Sequence, residues 1–487
     1  MLAALVGVQV AAGVLTGGAW DAWALAPAAA ALCLIGGAAA ALRAAGGFMP
    51  LPSRGVAAWV AALASAAAVS AATSPVSAYA WPAWAGLAAG LWLIAAVTMI
   101  DADARESLEQ GVRAAAWALV FLAVYQRIHG SPRPASAFPN ENVFAGAILL
   151  ILPFAARRGD FLLAAALIIE LWWTRSVGAW LGLAAALVLG RRSVGAVAAR
   201  AGAAIGAAGL IAAYAKLESA RAFHRLAWWA AAWRMGAASA WLGLGPGAFA
   251  YALPAYAPAG VPLWTRFAHQ YFLQTFAECG IAYLAVWTAG LAVILWRSRS
   301  PHRFGLIAAL VHGLVDYPLN LPGVFWLFCL SAGLALPESG ETLALRGGAR
   351  WKAAAAVAAL STAAAWMSVR GWRAARLREQ AVAAIESGIS AAVPASELEA
   401  SERLRPDPET ARLAAELALS RAARGEQPAV ELPLAAAQFE TAASLDPYRA
   451  SNWTLLSAVY AKLGRKREAE SALNRGAASC PSLRTAR

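Results

Sequence analysis

The sequence predicts an all-α, polytopic membrane protein of about thirteen helices, followed by a C-terminal helical repeat domain. Three observations predict this fold class. Of the 487 residues, 61% are hydrophobic and 14% are charged, which is too apolar for a water-soluble globule. The apolar runs have the length of helices and do not alternate with a period of two. The last part of the chain is polar and contains a helical repeat.

The predicted membrane segments are apolar runs between residues 2 and 369. They cover roughly residues 2–18, 24–42, 55–73, 81–100, 112–127, 142–156, 160–174, 177–190, 195–214, 268–296, 304–316, 322–337 and 352–369. The run 2–18 has no basic residue before it and no small-residue cleavage pattern, so we expect a retained anchor. The sequence therefore predicts a membrane domain over 1–369 and a repeat domain over 370–487.

Basic residues predict the orientation of these segments. With a cytoplasmic N-terminus, the cytoplasmic loops contain Arg43 and Arg54, Arg105 and Arg113, Arg157 and Arg158, Arg191 and Arg192, Arg297 with Arg299 and Arg303, and Arg346 with Arg350 and Lys352. The opposite loops at 19–23, 74–80 and 317–321 contain no Lys or Arg. This positive-inside pattern, together with an odd number of spans, places the repeat domain on the outer side of the membrane.

The net charge of +13 follows mainly from the cytoplasmic loops, where orientation and anionic lipid headgroups explain it. No nucleic-acid module is visible, so we expect membrane lipids and no nucleic acid among the partners. The outer loop 215–267 is the exception to the charge rule. It contains one acidic residue, Glu218, and the basic residues Lys216, Arg221, Arg225, Arg234 and Arg266. Positive charge kept on the outer side indicates an anionic ligand.

The tail contains a repeat with a period of 34 residues. The spacing typical of a tetratricopeptide repeat is formed by Trp453, Leu456, Tyr460, Ala469, Leu473, Gly476 and Pro481. One period earlier stand Ala435, Phe439 and Pro447, and a weaker unit surrounds Leu398 and Pro406. Such an array either caps the membrane domain or offers a concave surface to a protein partner, and the sequence leaves both open.

Two polar stretches interrupt the first half of the apolar sequence. In Phe138-Pro-Asn-Glu-Asn-Val-Phe-Ala145, Asn140 and Asn142 either cap the following helix or present amides to a polar substrate. In Thr174-Arg-Ser-Val-Gly-Ala-Trp-Leu-Gly182, Arg175 stands in a turn between two helices, where it can reach the membrane interface.

A third stretch lies in the outer loop. It contains Arg225-Leu-Ala-Trp228, then Gly243-Leu-Gly-Pro-Gly247, then Tyr256. The glycine-rich part predicts a tight backbone turn and nothing more specific. The guanidinium of Arg225 offers a planar, permanently charged fork for phosphate oxygens, so an outer Arg beside aromatic residues is a candidate diphosphate clamp.

The fourth stretch begins with Ala268-His269-Gln270 and continues through Gln274 to Glu278 at the mouth of a long apolar helix. A lone His in a helix is more often structural than catalytic. Behind an arginine-rich loop, however, the His269 imidazole is a candidate base that accepts a proton from a hydroxyl near neutral pH. His312 and Asp316 are spaced to share one helix face, and for them we expect structural hydrogen bonding.

Taken in this order, the four stretches resemble the O-antigen ligase and O-antigen polymerase superfamily of bacterial inner-membrane glycosyltransferases. The resemblance covers roughly residues 60–335 and rests on Asn-x-Asn, Ser-x-Gly-Ala-Trp-Leu-Gly, Arg-x-x-Trp, Gly-x-Gly-Pro-Gly-x-Phe and His-x-x-x-Leu-Gln. It implies a multi-helix fold like that of GT-C glycosyltransferases and a donor glycan on undecaprenyl diphosphate. It also implies catalysis without a metal, a cofactor or a nucleotide sugar.

The resemblance also implies residue roles. Arg225 matches the family's diphosphate-binding arginine and His269 its catalytic histidine. Further phosphate contacts are expected from Arg175, Arg221 and Arg266, and substrate contacts from Asn140, Asn142, Gln270, Gln274 and Tyr256. The chain departs from the family pattern at Val177, where an Arg is usual, and at Gln270, where an Asn is common.

The sequence does not identify the acceptor of the glycan. A lipid A core would make the protein a ligase and a second lipid-linked glycan a polymerase, while a protein hydroxyl would make it a protein O-oligosaccharyltransferase. The competing class is a non-catalytic polysaccharide transporter or scaffold whose repeats recruit partners. A transporter should carry charges in several central helices or show duplicated halves, and the sequence shows neither.

The predicted topology is tested with a reporter fused after Arg487. Because an odd number of spans follows a cytoplasmic N-terminus, a reporter that is active only outside the cytoplasm should be active in this fusion. Activity of a cytoplasm-specific reporter at the same position would instead remove the predicted span at 352–369.

Overall fold

Helices make up nearly all of the structure, which confirms the predicted helical class. The computed structural model describes residues 7, 10, 22–157, 159–190, 200–211, 220–258, 264–387 and 392–479. The predicted segment 2–18 therefore lies almost entirely outside the described residues, as do Lys216 and Glu218. Within the described ranges, two short antiparallel strands pair, β1 (Phe48–Leu51) with β2 (Glu341–Ala344).

Most of the described helices precede the C-terminal array. They are α1 (Ala22–Ala45), α2 (Arg54–Ala72), α3 (Ser77–Thr98), α4 (Ala102–Ile128), α5 (Glu141–Arg157), α6 (Phe161–Thr174), α7 (Val177–Leu189), α8 (Arg200–Ile211), α9 (Ala220–Ala238), α10 (Phe249–Tyr256), α11 (Tyr271–Arg297), α12 (His302–His312), α13 (Pro322–Leu334) and α14 (Gly348–Glu386). Helices α2 to α13 form one bundle, whereas α1 and α14 pack mainly on each other. A 3₁₀ turn at Pro318–Asn320 precedes α13. The C-terminal array consists of α15 (Ala392–Leu404), α16 (Pro408–Ala423), α17 (Pro428–Leu445), α18 (Ala450–Lys462) and α19 (Lys466–Ser479).

In the described part of the chain, five helices are long and apolar enough to cross a membrane: α2, α3, α4, α11 and α14. The apolar helices α5, α6, α7, α8 and α13 have 10–17 residues. The 14 residues of α6 rise about 21 Å, which is less than a hydrocarbon core of about 30 Å. Length alone therefore supports fewer spans than the thirteen expected, and that number stays a prediction.

Helix α14 runs without interruption through the predicted domain boundary at 369/370. Its 39 residues rise about 58 Å, roughly twice the thickness of a hydrocarbon core. It packs against α1, where Gly37 meets Ser361, and farther along Arg370 donates to the carbonyl of Leu404 in α15. The sequence changes from apolar to polar at this boundary, but the helix continues without a break. The change therefore reflects different surroundings along one helix.

The centre of the bundle is the short helix α13, which is buried from Gly323 to Leu334. A helix that is apolar all round needs neighbours on every side. Helix α3 approaches it closely at Gly90, where a Cβ would lie 2.5 Å from the Phe325 ring. The indole of Trp326 donates to the carbonyl of Gly86 at 2.8 Å, which adds a polar contact between the same two helices.

Helix α11 is broken inside its length, and the glycine-rich loop fills the break. Gly280 has φ +75° and interrupts the helical hydrogen bonds. Three backbone hydrogen bonds replace them: Leu244 N donates to Ala277 O at 2.9 Å, Gly245 N to Glu278 O at 2.8 Å and Ile281 N to Ala240 O at 2.8 Å. Backbone groups in apolar surroundings need such partners, so the loop is a structural part of the break.

The close approach of the two backbones explains the glycines. A Cβ on Gly280 would lie 2.3 Å from the carbonyl oxygen of Trp241, and a Cβ on Gly243 would lie 2.4 Å from that of Glu278. Both glycines also have φ near +70°, which side chains disfavour. The Gly-Leu-Gly-Pro-Gly motif therefore serves backbone contact here, beyond the tight turn that the sequence predicts.

The C-terminal array has a core of its own. The predicted repeat positions Ala435, Phe439, Trp453, Leu456 and Tyr460 are buried together in it. Consecutive helices pack on one another, α16 on α17, α17 on α18, and α18 on α19. The periodic small and large residues therefore share one apolar core, while the assignment to a particular repeat family stays a prediction.

The array contacts the end of the bundle that also holds the loop before α11. Arg405 donates to the carbonyl of Ala78 at the start of α3, at 2.7 Å. The ring of Tyr448 lies edge-on to Tyr256 of α10, with centroids 6.2 Å apart. The array and the loop expected to hold the site thus share one end of the molecule.

Replacing Gly280 by Ala should lower the free energy of unfolding by about 2 kcal/mol or more, because the Cβ enters the backbone of the loop and φ is positive. Gly111→Ala is the matched control. Gly111 lies in α4, and no atom stands within 4 Å of the place that its Cβ would take, so helix propensity should raise stability by about 0.5–1 kcal/mol. Thermal unfolding in detergent measures both, and equal effects would contradict the role of the break.

Candidate active site

His269 stands immediately before α11 with a left-handed backbone, φ +56°. This conformation is uncommon for a residue with a side chain and has to be held by its surroundings. Three hydrogen bonds hold it: Ala268 N donates to Gln274 Oε1 at 2.9 Å, Trp229 Nε1 to His269 O at 3.3 Å and Tyr271 N to Gly313 O at 2.7 Å. The backbone on both sides of His269 is therefore tied to neighbouring helices.

The His269 side chain faces a carboxylate. Its Nδ1 lies 3.2 Å from Oδ1 of Asp316, which follows α12 in a turn. The Asp316 side chain is 5% exposed and that of His269 is 19% exposed. When Nδ1–H donates to a carboxylate, the neutral ring carries its lone pair on Nε2. This pair therefore has the arrangement of an oriented general base.

Two aromatic rings fix the plane of the imidazole. Trp228 of α9 stacks on it with centroids 5.2 Å apart and an interplanar angle of 21°. Tyr317 approaches edge-on at 4.6 Å. Because one ring covers a face and the other meets an edge, the His269 ring has little freedom to rotate away from Asp316.

Arg225 completes the charged group. Its Nη1 donates to the carbonyl of Val315 at 3.0 Å, and its Nη2 lies 3.7 Å from Asp316 Oδ2. The side chain is 36% exposed. A guanidinium has five N–H donors, so these contacts hold its position and leave donors for an anion.

The charge of Asp316 follows from its neighbours. Burial by itself raises the pKa of this carboxyl. The hydrogen bond from His269 and the positive charges of His312, His269 and Arg225 act in the opposite direction and outweigh it, so the pKa of Asp316 lies below its ordinary value of 3.8. Asp316 is therefore ionised at neutral pH and can stabilise a proton on His269.

Asn140 has the capping role that the sequence left open, and its amide has a partner within the protein. Its Oδ1 accepts from the backbone N–H of Asn142 at 2.9 Å and of Val143 at 3.0 Å, so it caps α5. Its amide donates to the hydroxyl of Tyr317, which touches His269. Asn142 lies in the first turn of α5 and is partly buried.

The other predicted arginines lie at different distances from this group. Arg175 is exposed and has φ +53° at the end of α6. Arg266 lies over the ring of Phe267, with 5.9 Å to the ring centroid, and Phe267 stacks on Tyr317. Arg266 is thus linked to His269 through two rings. Arg221 belongs to α9, but its side chain lies outside the described residues.

Three predicted substrate contacts have structural partners. Gln270 caps α11 by accepting from Leu273 N, and Tyr256 contacts Tyr448 of the array. Gln274 is 2% exposed and hydrogen-bonded to both Ala268 and Glu278. The structure therefore places Tyr256 at a contact with the array and Gln274 beneath the His269 backbone.

Sequence reasoning missed two sets of contacts, those of the Asp316 carboxylate and those of Arg133. Asp316 was expected to bond with His312, and its backbone N–H does donate to the His312 carbonyl at 3.0 Å. Its carboxylate, however, pairs with His269, and Ser176 Oγ lies 3.5 Å from His312 Nε2. Arg133 was not singled out, although its guanidinium donates twice to Thr174 O and pairs with Glu141 at 2.8 Å. Arg133 is a basic residue in a short loop on the predicted outer side, and this could have identified it from the sequence.

Among the residues that the structure describes, no group of three or more His, Cys, Asp or Glu side chains is arranged to hold a metal ion. Comparison with protein-family models and with curated proteins found no match to the chain.

Asp316→Asn tests the charge of this carboxyl without a substrate. Because the pKa of Asp316 is lowered by folding, its ionised form stabilises the folded state above the ordinary value of 3.8, and this contribution disappears as the pH falls through the folded-state pKa. The melting temperature of the wild type should exceed that of Asp316→Asn at neutral pH, and the difference should shrink below about pH 4. A difference that stays constant down to pH 3 would contradict the assignment.

Proposed function

We propose that the chain is a membrane glycosyltransferase of the O-antigen ligase and polymerase superfamily, which transfers a glycan from undecaprenyl diphosphate on the periplasmic face of the bacterial inner membrane. The observation that supports this most is the convergence of His269, Asp316 and Arg225. The described contacts among them join residues that are 47 and 91 positions apart in the chain. A base, its orienting carboxylate and a phosphate-binding cation therefore stand within one group.

His269 is proposed as the general base. Asp316 holds Nδ1, so Nε2 accepts the proton of the acceptor hydroxyl as its oxygen attacks the anomeric carbon. The bond between the anomeric carbon and the phosphate oxygen breaks, and its electron pair leaves with undecaprenyl diphosphate. The ionised Asp316 stabilises the imidazolium that results.

Arg225 is proposed to bind the donor diphosphate. Its contact with Asp316 is long, 3.7 Å, and a third of the side chain is exposed. A diphosphate carries more charge than one carboxylate and matches the planar guanidinium fork, so it is the stronger partner for the remaining donors. Charge neutralisation of the leaving group is then the main contribution to rate. Arg266 and the exposed Arg175 are further candidates for the same anion.

The acceptor is proposed to approach from the end of the bundle that the array occupies. The array contacts α10 and the start of α3 through Tyr448 and Arg405. Tetratricopeptide repeats that recruit an acceptor or its carrier protein suit this position. Lipid A core, a second lipid-linked glycan and a protein hydroxyl are the three acceptors to compare, corresponding to a ligase, a polymerase and a protein O-oligosaccharyltransferase.

His269→Ala should reduce the transfer rate on the order of 100-fold or more, because the acceptor hydroxyl loses its base. Donor binding should persist, since Arg225 is unchanged. Purified protein is incubated with defined undecaprenyl-diphosphate oligosaccharide and each of the three acceptors, and the products are analysed by mass spectrometry. Donor affinity and melting temperature are measured on the same preparation.

Arg225→Ala is the complementary variant and should weaken donor binding, with poor rescue by Arg225→Lys, because an ammonium cannot form the bidentate contact. Arg376→Ala is the control, since Arg376 is an exposed arginine of α14 that pairs with Glu379. A His269→Ala protein that is less stable but fully active per folded molecule would overturn the mechanism. A wild type that binds the donor without turnover on any acceptor would favour a scaffold.

A further inference from the structure

A buried chain of hydrogen bonds runs beneath His269 to the glycine-rich loop. Gln274 Nε2 donates to Glu278 Oε1 at 2.9 Å, and Glu278 Oε1 also accepts from the backbone N–H of Phe249 at 3.4 Å. At the other end, Gln274 Oε1 accepts from Ala268 N at 2.9 Å. The chain therefore connects the loop that fills the break of α11 with the residue before His269.

Both side chains are withdrawn from solvent. Gln274 is 2% exposed and Glu278 is 9% exposed. They stand four residues apart on one face of α11, immediately before the break at Gly280. Buried polar groups of this kind are costly unless every member is satisfied, and here each has its partners within the protein. Neither is placed to contact a glycan.

The hydrogen-bond chain is also fixed at the end that meets the glycine-rich loop. The carbonyl of Glu278 accepts from Gly245 N at 2.8 Å and from the hydroxyl of Ser70 at 2.8 Å. Glu278 is thus held through its backbone as well as its carboxylate. A shift of the loop would move Glu278, then Gln274, and then the left-handed backbone at His269.

We infer that Gln274 and Glu278 are positioning residues that set the geometry of His269 for the reaction, so that Gln274 acts through the His269 backbone and not by binding substrate. The effect of the two residues on catalysis rests on the proposed function. Their effect on the placement of His269 rests on the hydrogen bonds alone. Small displacements of a base from its productive geometry are sufficient to lower turnover strongly.

The test exchanges the two side chains. In Gln274→Glu alone, two carboxyl groups face each other, and the chain is interrupted at a pH where both are ionised, because neither then has a proton to donate. In the double variant Gln274→Glu, Glu278→Gln, the amide at 278 donates to the carboxylate at 274, which still accepts from Ala268 N. Because Glu278 Oε1 accepts from both Gln274 and Phe249 N in the wild type, an amide that turns its nitrogen to residue 274 gives up the longer bond from Phe249 N. The exchange therefore restores the hydrogen bond between residues 274 and 278 and the bond from Ala268 N, which are the two that connect Glu278 with the backbone before His269.

Gln274→Glu should lower kcat on the order of tenfold or more with little change in KM for the donor, and the double variant should recover most of the loss. The matched control is Gln110→Glu, because Gln110 and Glu106 form a similar pair four residues apart on the exposed side of α4. The control should retain wild-type turnover. Melting temperatures are measured for all variants.

A readout without substrate separates this inference from the proposed function. Diethyl pyrocarbonate modifies histidine, and the rate at His269 is measured by peptide mass spectrometry. This rate should differ from the wild-type rate in Gln274→Glu and return to the wild-type rate in the double variant. If the wild type shows no transfer, the proposed function fails, and the modification rates still decide whether the pair positions His269.

Three results would overturn the positioning role. The first is a Gln274→Glu protein with wild-type turnover and modification rate. The second is a double variant that folds as stably as the wild type but remains as slow as Gln274→Glu, since this would indicate that the Gln274 amide itself contacts substrate. The third is a Gln274→Glu protein that is less stable yet fully active per folded molecule. If Gln274→Glu does not fold, activity of the double variant alone supports the role and its inactivity refutes it.

Discussion

The break of α11 at Gly280 is the constraint on which the candidate site depends. Backbone groups released inside an apolar bundle must find partners, and here the backbone of the glycine-rich loop provides them. Only glycine allows the two backbones to approach so closely, since a Cβ at either Gly243 or Gly280 would overlap a carbonyl group. The position of this loop then determines where Glu278 and the hydrogen-bond chain to His269 lie.

The charged partners of His269 come from other parts of the bundle. Asp316 comes from the turn after α12, and Arg225 from α9. A buried carboxylate is tolerated because an imidazole and a guanidinium stand beside it, and the same neighbours keep its pKa low. The arrangement stabilises the fold and, under the proposed function, also orients the base and the cation. A single substitution at Asp316 is therefore expected to disturb both.

The C-terminal array is joined to this end of the bundle by polar and aromatic contacts. Arg405 reaches the first turn of α3, and Tyr448 meets Tyr256 on the short helix that follows the glycine-rich loop. The continuous helix α14 carries the chain from the opposite end of the bundle, where the strand pair lies, to the array. The array is thus placed against α10 and the start of α3.

Composition and periodicity were sufficient for the helical class and for most helix positions, because an apolar run of helix length satisfies its own backbone wherever it packs. The spacing of Phe439, Trp453 and Tyr460 likewise predicted a shared apolar core. His269 and Arg225 were recognisable as candidates from their residue types and from the ordered motifs around them. Whether the chain performs the proposed reaction is a separate matter for the experiments described above.

The partners of those residues were decided by tertiary structure. Asp316 lies four residues from His312, and local spacing favoured that pairing, yet the turn after α12 directs its carboxylate to His269. The family resemblance implied that Gln274 contacts substrate, and in the structure its side chain lies beneath the left-handed backbone at His269 and accepts from Ala268 N. Composition also suggested a boundary at 369/370 inside α14. In each case the deciding contact joins residues that are distant in sequence or depends on a single backbone angle, and neither leaves a periodic signal in the order of amino acids.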